Sequence, residues 1–190
     1  MLVEQRLATQ HDLFGFAADA GGLRVEAEDS RASAPRVERY TPEWNVLSRP
    51  SPTDEALEFT PALPNFPRPI RVGASWGEDL TARSAKSGRT IRVKVQGKML
   101  DWERVRVPAG EFDAFRVRRT VWLEDGDFFR TGTTVNETDW YAPAVNHFVR
   151  HEDQSSYVNK MTTHGRAPAV VRSDWHVYEL MQYQPGPGRT

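Results

Sequence analysis

The chain has 190 residues, 38% hydrophobic and 11% aromatic, with six Trp, no Cys and a net charge of −1. That length suits one domain with one sizeable core, and so many aromatics argue against disorder throughout. The missing Cys excludes thiol catalysis, disulfides and thiolate metal sites, and a near-neutral charge gives no global attraction for nucleic acid or anionic membranes.

Charge is unevenly placed: residues 1–82 sum to −5, 83–119 to +7 and 120–190 to −3. No apolar run approaches the ~20 residues that span a bilayer, so no transmembrane segment is expected. The opening "MLVEQRLATQHDLF" lacks a basic stretch followed by an apolar one, so no signal peptide is visible. The expectation is a cytoplasmic protein, or a periplasmic or exported one whose leader lies outside this chain.

Residues 1–30 are ill defined except for "LRVEAED". There Leu23, Val25 and Ala27 alternate with charged residues, which predicts a strand after a Gly21-Gly22 turn. "RVERYTPEWNVLSRPSPTDE" predicts a short strand or two, then a Pro/Ser loop at Ser48 to Thr53. In "FTPALPNFPRPIRVGASW", Pro61, Pro64, Pro67 and Pro69 fix φ and remove backbone donors. This predicts neither an interior strand nor a helix but an extended arm across the sheet, pinned by Phe59, Phe66 and Trp76.

From Leu80 the pattern is regular. "LTARSAK" ends at Ser87-Gly88. "TIRVKVQ" alternates Ile91, Val93 and Val95 against Arg92, Lys94 and Gln96, and "WERVRV" alternates Val105 and Val107 against Arg104 and Arg106. Alternation at period two marks half-buried strands. In "VPAGEF", Pro108 suits a type I turn and Gly110 the left-handed residue after it, which predicts a hairpin with a G1 bulge. The next strand, Phe112 to Leu123, carries Phe115, Val117, Val121 and Leu123 on one face and Arg116, Arg118 and Thr120 on the other. Arg119 interrupts the apolar face, and nothing local explains it. Asp125-Gly126 predicts a two-residue turn into "FFRTGTTVNETDWY"; "APAV" stops that strand, "HFVRHE" and "SYVNKMTTH" predict a hairpin, and "SDWHVYELMQY" the last strand.

No segment carries a sustained helical stripe. Short strands at about 8–12-residue spacing predict a mainly β protein. Its core is a single curved antiparallel sheet, or a partly open β-barrel, with a Pro-rich arm. Residues 1–184 form one β domain and 185–190 a frayed tail. Ile91, Val93, Val95, Val105, Val107, Phe115, Val117 and Val121 are expected to be buried on one side of that sheet.

Three motifs in order, "FPRPIRVGASW", "VRVPAGEFDAFRVRRT" and "WYAPAVNHFVRHE", resemble a bacterial family of unknown function, mostly exported or envelope proteins. "TPEWNVLSRP" fits an upstream Trp-Asn element of that family, and "YELMQY" its last strand. The family's usual Gly after Ala-Pro-x-Val is Asn146 here, and the N-terminal strand and leader are indistinct. The resemblance implies a curved antiparallel sheet similar to the half-barrels of lipoprotein carriers, and it carries over no catalytic residue.

Three strands each place two cations on the polar face: Arg92 and Lys94, Arg104 and Arg106, Arg116 and Arg118. In a meander these make one cationic face, because neighbouring strands lie ~4.8 Å apart. Such a face suits an anionic ligand such as a lipid headgroup, or an acidic envelope partner, and is otherwise ordinary solvated surface. Nothing in its pattern reads nucleic acid. His147 and His151, beside Glu152 and Asp153, have a spacing that serves a metal on a helix; on a strand they lie ~13 Å apart, so no metal is expected. His11, His164 and His176 have no matching neighbours. No Gly-x-Ser-x-Gly, phosphate loop or dinucleotide pattern occurs, so neither a cofactor nor catalytic residues are nominated.

Three readings follow. One is a non-enzymatic envelope or exported β-domain that binds an apolar or anionic ligand, or a protein. The second is a structural or interaction protein with a filled core. The third is a hydrolase with an unrecognised site. The Trp and Phe residues either line an apolar groove or fill the core.

Overall fold

The computed structural model describes residues 13–19, 22–28, 36–50, 56–161 and 168–183, the first two segments by strand path alone. The expected turn at Gly21, the loop beyond Pro50, the tail at 185–190, His11 and His164 lie outside the described residues.

Among the described residues, twelve strands form one antiparallel sheet. They are β1 (Leu13–Asp19), β2 (Gly22–Glu28), β3 (Arg36–Tyr40), β4 (Val46–Pro50), β5 (Ala56–Leu63), β6 (Ser75–Ser84), β7 (Thr90–Val107), β8 (Gly110–Leu123), β9 (Thr133–Ala142), β10 (His147–Asn159), β11 (Ala169–Arg172) and β12 (His176–Glu179). From β1 to β11 spatial order follows chain order. Both β11 and β12 pair with β10, and Ser173 bridges the gap between them: its Oγ accepts from the Ser155 N–H at 2.8 Å.

The sheet is open but strongly curled. Arg49 on β4 and Glu137 on β9 are five strand positions apart, about 24 Å on a flat sheet. Their guanidinium and carboxylate are 2.5 Å apart. The inside of this curl is the main core, built from Val93, Val95, Met99, Phe115, Val117, Val121 and Tyr141. The Pro-rich arm lies over it, with Phe66 packed edge-on against Phe115 at 5.5 Å and tilted on Tyr141 at 5.2 Å.

The arm begins later than the prolines suggest. Residues 56–63, Pro61 included, form β5, an interior strand between β4 and β6. Pro61 is tolerated because it falls beyond the last β6 pair, Thr60↔Thr81, and within the β4 irregularity between Ser48↔Glu58 and Val46↔Leu63. A missing donor costs nothing where the ladder is already broken.

"TIRVKVQ" and "WERVRV" are not two strands but the single strand β7. Gly97 does not break it; it leaves room for the Trp76 ring on the neighbouring strand, since a Cβ there would lie 2.2 Å from that ring. A bulge between Met99 and Trp102 then adds one residue against Phe115–Val117 of β8. An extra residue exchanges the faces. All eight apolar residues expected to be buried are buried. However, Val105 and Val107 belong to a second, smaller core with Ala114, Ala142 and Val149, on the outer face.

Two expected turns are absent. "HFVRHE" and the first four residues of "SYVNKMTTH" lie in one continuous strand, β10, which ends at Asn159, because Asp153 and Ser155 are engaged by β12 and Ser173 instead of turning the chain. Asp125-Gly126 is not a two-residue turn either; β8 and β9 are joined by residues 124–132. The Asp125 carboxylate accepts from the Thr133 N–H and hydroxyl at 2.7 and 2.8 Å, which folds the connection into a compact loop.

Asn146 has φ +54°, the left-handed position for which Gly is the usual residue and Asn the common substitute. Its side-chain oxygen accepts from the Tyr141 hydroxyl at 2.5 Å. At the β7–β8 hairpin, Gly110 has φ +136°. The sign is as expected, but the value lies beyond the left-handed helical well, in a region open to Gly alone. Gly110→Val is therefore expected to destabilise the fold by more than about 1 kcal/mol, measured by urea unfolding.

Candidate functional site

Two neighbouring rows of cross-strand partners carry the polar chemistry. One runs Trp76, Gly97, Arg119, Glu137, Asp153, His176 from β6 to β12. The next runs Met99, Val117, Asp139, His151, Tyr178. Because successive inward residues on a strand are two apart, Arg119, Glu137, Asp139, His151 and Asp153 all point into the curl.

Arg119 is 2% exposed, yet it is charged and inward-facing. Its guanidinium sits 2.9 Å from Glu137 and 2.8 Å from Asp139, themselves buried. It also donates to Asn65 on the arm, and Asn65 donates to the Trp44 carbonyl at 2.5 Å. Trp44 has φ +67°, a strained conformation for a bulky residue that persists only when its surroundings fix it. Glu137 takes a second cation, Arg49; burial opposes the charge on its guanidinium, but Glu137, Glu38 and Tyr40 together outweigh burial and raise its pKa.

The network continues to the sheet edge. His151 Nδ1 lies 2.5 Å from Asp139, and its Nε2 lies 3.3 Å from Asp153. Burial opposes charge on this ring, but the charge of Asp139 and hydrogen bonds to Asp139 and Asp153 hold its pKa up at about 10. Burial likewise opposes the Asp153 anion, and the His151 and His176 contacts outweigh it, holding that carboxyl at about 2. Asp139 is held below its usual range, with Arg119 and His151 overcoming burial. An imidazolium that donates both N–H groups has no lone pair left to act as a base.

His147 is a different object. Burial pushes it down to about 4, and its neutral ring stands edge-on to Trp44 at 4.8 Å. His147 and His151 therefore do not converge on a metal, and among the described residues no group of three or more His, Asp or Glu could hold one.

The six cations expected to share one face do not. Arg92 and Lys94 lie near one end of β7, with Arg104 and Arg106 about 33 Å further along at the rise of a strand. The Met99–Trp102 bulge also turns Arg104 and Arg106 to the inner-face side, whereas Arg116 and Arg118 stay on the outer side. Four of the six are ion-paired: Arg92 with Glu124, Arg104 and Arg106 both with the single carboxylate of Glu111, and Arg116 with Asp101 and Glu103. Lys94 and Arg118 have no ion pair among the described residues, and the anionic-ligand face is lost as a single surface.

Sequence reasoning missed Glu137, Asp139 and Arg49. The available signal was Arg119 at an inward position, followed on the next strand by acids at two successive inward positions.

The fold defines an open, curled, up-and-down antiparallel β protein. No family model matches the chain, and none of the curated proteins matches it. A solved structure of the hypothetical lipoprotein YmcC from Escherichia coli (K12) is similar, with a TM-score of 0.47 and 10% identity, over 79% of this chain and 80% of that chain.

Arg119→Met leaves Glu137 and Asp139 buried beside one fewer cation. It is expected to cost about 3–5 kcal/mol in urea unfolding; a cost below about 1 kcal/mol would contradict the network. Stability should also depend on pH on both sides of neutrality. The folded pKa of His151, about 10, lies above the ordinary 6.5. Its contribution is complete below pH 6.5 and lost as pH rises toward 10. The folded pKa of His147, about 4, lies below 6.5. Its contribution is complete above pH 6.5 and lost as pH falls toward 4. The melting temperature should fall on both sides of about pH 6.5, and the alkaline fall should flatten in His151→Gln.

Proposed function

We propose that the protein is a non-enzymatic β-domain with a filled core that works by surface contact, at an extracytoplasmic site. The observation that carries this reading is the occupation of the inner face by the protein's own side chains. Leu63, Phe66, Phe115 and Tyr141 are buried there, together with the Arg119 network. A lipid carrier of half-barrel type instead needs that side of the sheet unfilled, so that an acyl chain has a cavity to enter.

Chemistry is disfavoured by the same geometry. The most enzyme-like group, His151 with Asp139, has both ring nitrogens engaged by carboxylates, so it serves as a cationic clamp between strands. The ordered motifs that resemble exported and envelope proteins support an extracytoplasmic location.

Native mass spectrometry of the protein purified from its own host tests the reading. The expected spectrum is that of the bare polypeptide. A stoichiometric lipid or other small molecule retained inside the fold would overturn it.

A further inference from the structure

The loop between β8 and β9 carries the most exposed aromatic surface among the described residues. Phe128 is 85% exposed and Phe129 53%, and their rings meet edge-on at 5.3 Å. Met161, 61% exposed, follows Lys160, whose N–H donates to the Phe129 carbonyl at 2.7 Å. The loop is tightly held. Asp127 Oδ1 accepts the N–H groups of Phe129 and Arg130 at 2.7 and 2.9 Å. Asp125 binds Arg130 and Thr133, and the Thr131 N–H donates to Val158 at 2.9 Å. The two rings are thus displayed by a braced support, and folding gains nothing from leaving them in water.

The surrounding charge is cationic. Arg89, in the β6–β7 turn, donates to the Gly126 carbonyl at 3.2 Å, and Lys160 donates to the Asp127 carbonyl at 2.9 Å. Lys86 lies in the same turn as Arg89. These three cations have no ion pair among the described residues. Of the nearby acids, Glu124 is paired with Arg92 and Asp125 with Arg130, while Asp127 accepts two backbone N–H groups and stays an anion, outnumbered by the three cations.

We propose that this tip docks on an anionic lipid surface, with Phe128 and Phe129 entering the acyl boundary and Lys86, Arg89 and Lys160 resting among the headgroups. Two adjacent rings on a projecting loop suit a fluid apolar phase, which needs no shaped pocket to receive them. Unpaired cations around them match the negative potential of such a surface. The inference rests on the reading of the protein as a surface-contact domain, and it names the surface.

The test is co-sedimentation of the full chain with phosphatidylcholine vesicles, with and without phosphatidylglycerol. Wild type is expected to bind the phosphatidylglycerol vesicles, less as salt is raised. Phe128→Ser/Phe129→Ser is expected to bind at least about ten-fold more weakly with an unchanged melting temperature, and Arg89→Glu/Lys160→Glu to bind more weakly too. Since the chain has no Cys, Phe129→Cys can carry a single environment-sensitive dye, whose emission should shift to the blue on these vesicles. Equal binding by the Phe128/Phe129 double variant, equal binding to neutral vesicles, or no vesicle binding by wild type would each overturn the proposal. The last result would assign the tip to a protein partner. A lipid that still co-purifies with the Phe128→Ser/Phe129→Ser variant would instead overturn the filled-core reading, so the two failures are distinguishable.

Discussion

Arg119 is a full positive charge in the middle of an apolar face, and the rest of the molecule is arranged around that fact. A buried guanidinium costs several kcal/mol in lost hydration unless carboxylates and hydrogen bonds replace the water. Here Glu137 and Asp139 supply the counter-charge from the next strand, and Asn65 supplies an acceptor from the arm. Each of these groups then recruits another. Glu137 draws in Arg49 from across the curl, Asp139 fixes His151, and Asn65 holds the strained Trp44 turn through its carbonyl. The network therefore reaches the arm, the central strands and, through Asp153 and His176, the edge strand β12.

A network of this kind specifies more than it stabilises. Apolar rows of Val and Phe tolerate small slips, because one methyl group packs much like the next. Charged rows do not. A one-residue shift between β8 and β9 would turn Glu137 and Asp139 to the outer face and leave Arg119 opposite an uncharged residue. The curl has the same origin, since Arg49 reaches Glu137 only if the sheet bends back on itself. That bend closes the inner face around Phe66 and Tyr141.

The bulge at Met99–Trp102 is the second constraint. By exchanging faces within β7 it splits one run of valines between two cores and one run of cations between two surfaces. The far end of β7 gains an outer-face cluster with Ala142 and Val149, which Leu180 covers from the C-terminal segment. The two ends of the sheet consequently differ. The Pro108 hairpin end is tied down, with the Ala109 N–H bonded to Leu180 at 2.9 Å. The opposite end presents Phe128 and Phe129 on a braced loop.

The sequence by itself determined the fold class, most of the strands, the Ser87-Gly88 turn, the Gly110 hairpin and the burial of every apolar residue named for the core. These follow from local rules, because period-two alternation and a Gly at a turn act over a few residues. It also marked Arg119 as an anomaly without explaining it. Only the tertiary structure decided what that residue was for, since its partners lie 18 and 20 positions along the chain on the adjoining strand, and Asn65 is 54 positions away. The same holds for Pro61 within an interior strand, for Gly97 beneath the Trp76 ring, and for the unbroken course of β7 and β10. In each case a local signal for a break was overruled by a neighbouring strand. Register, curl and the pairing of buried charges are properties of strands packed together, and a pattern read along one strand does not contain them.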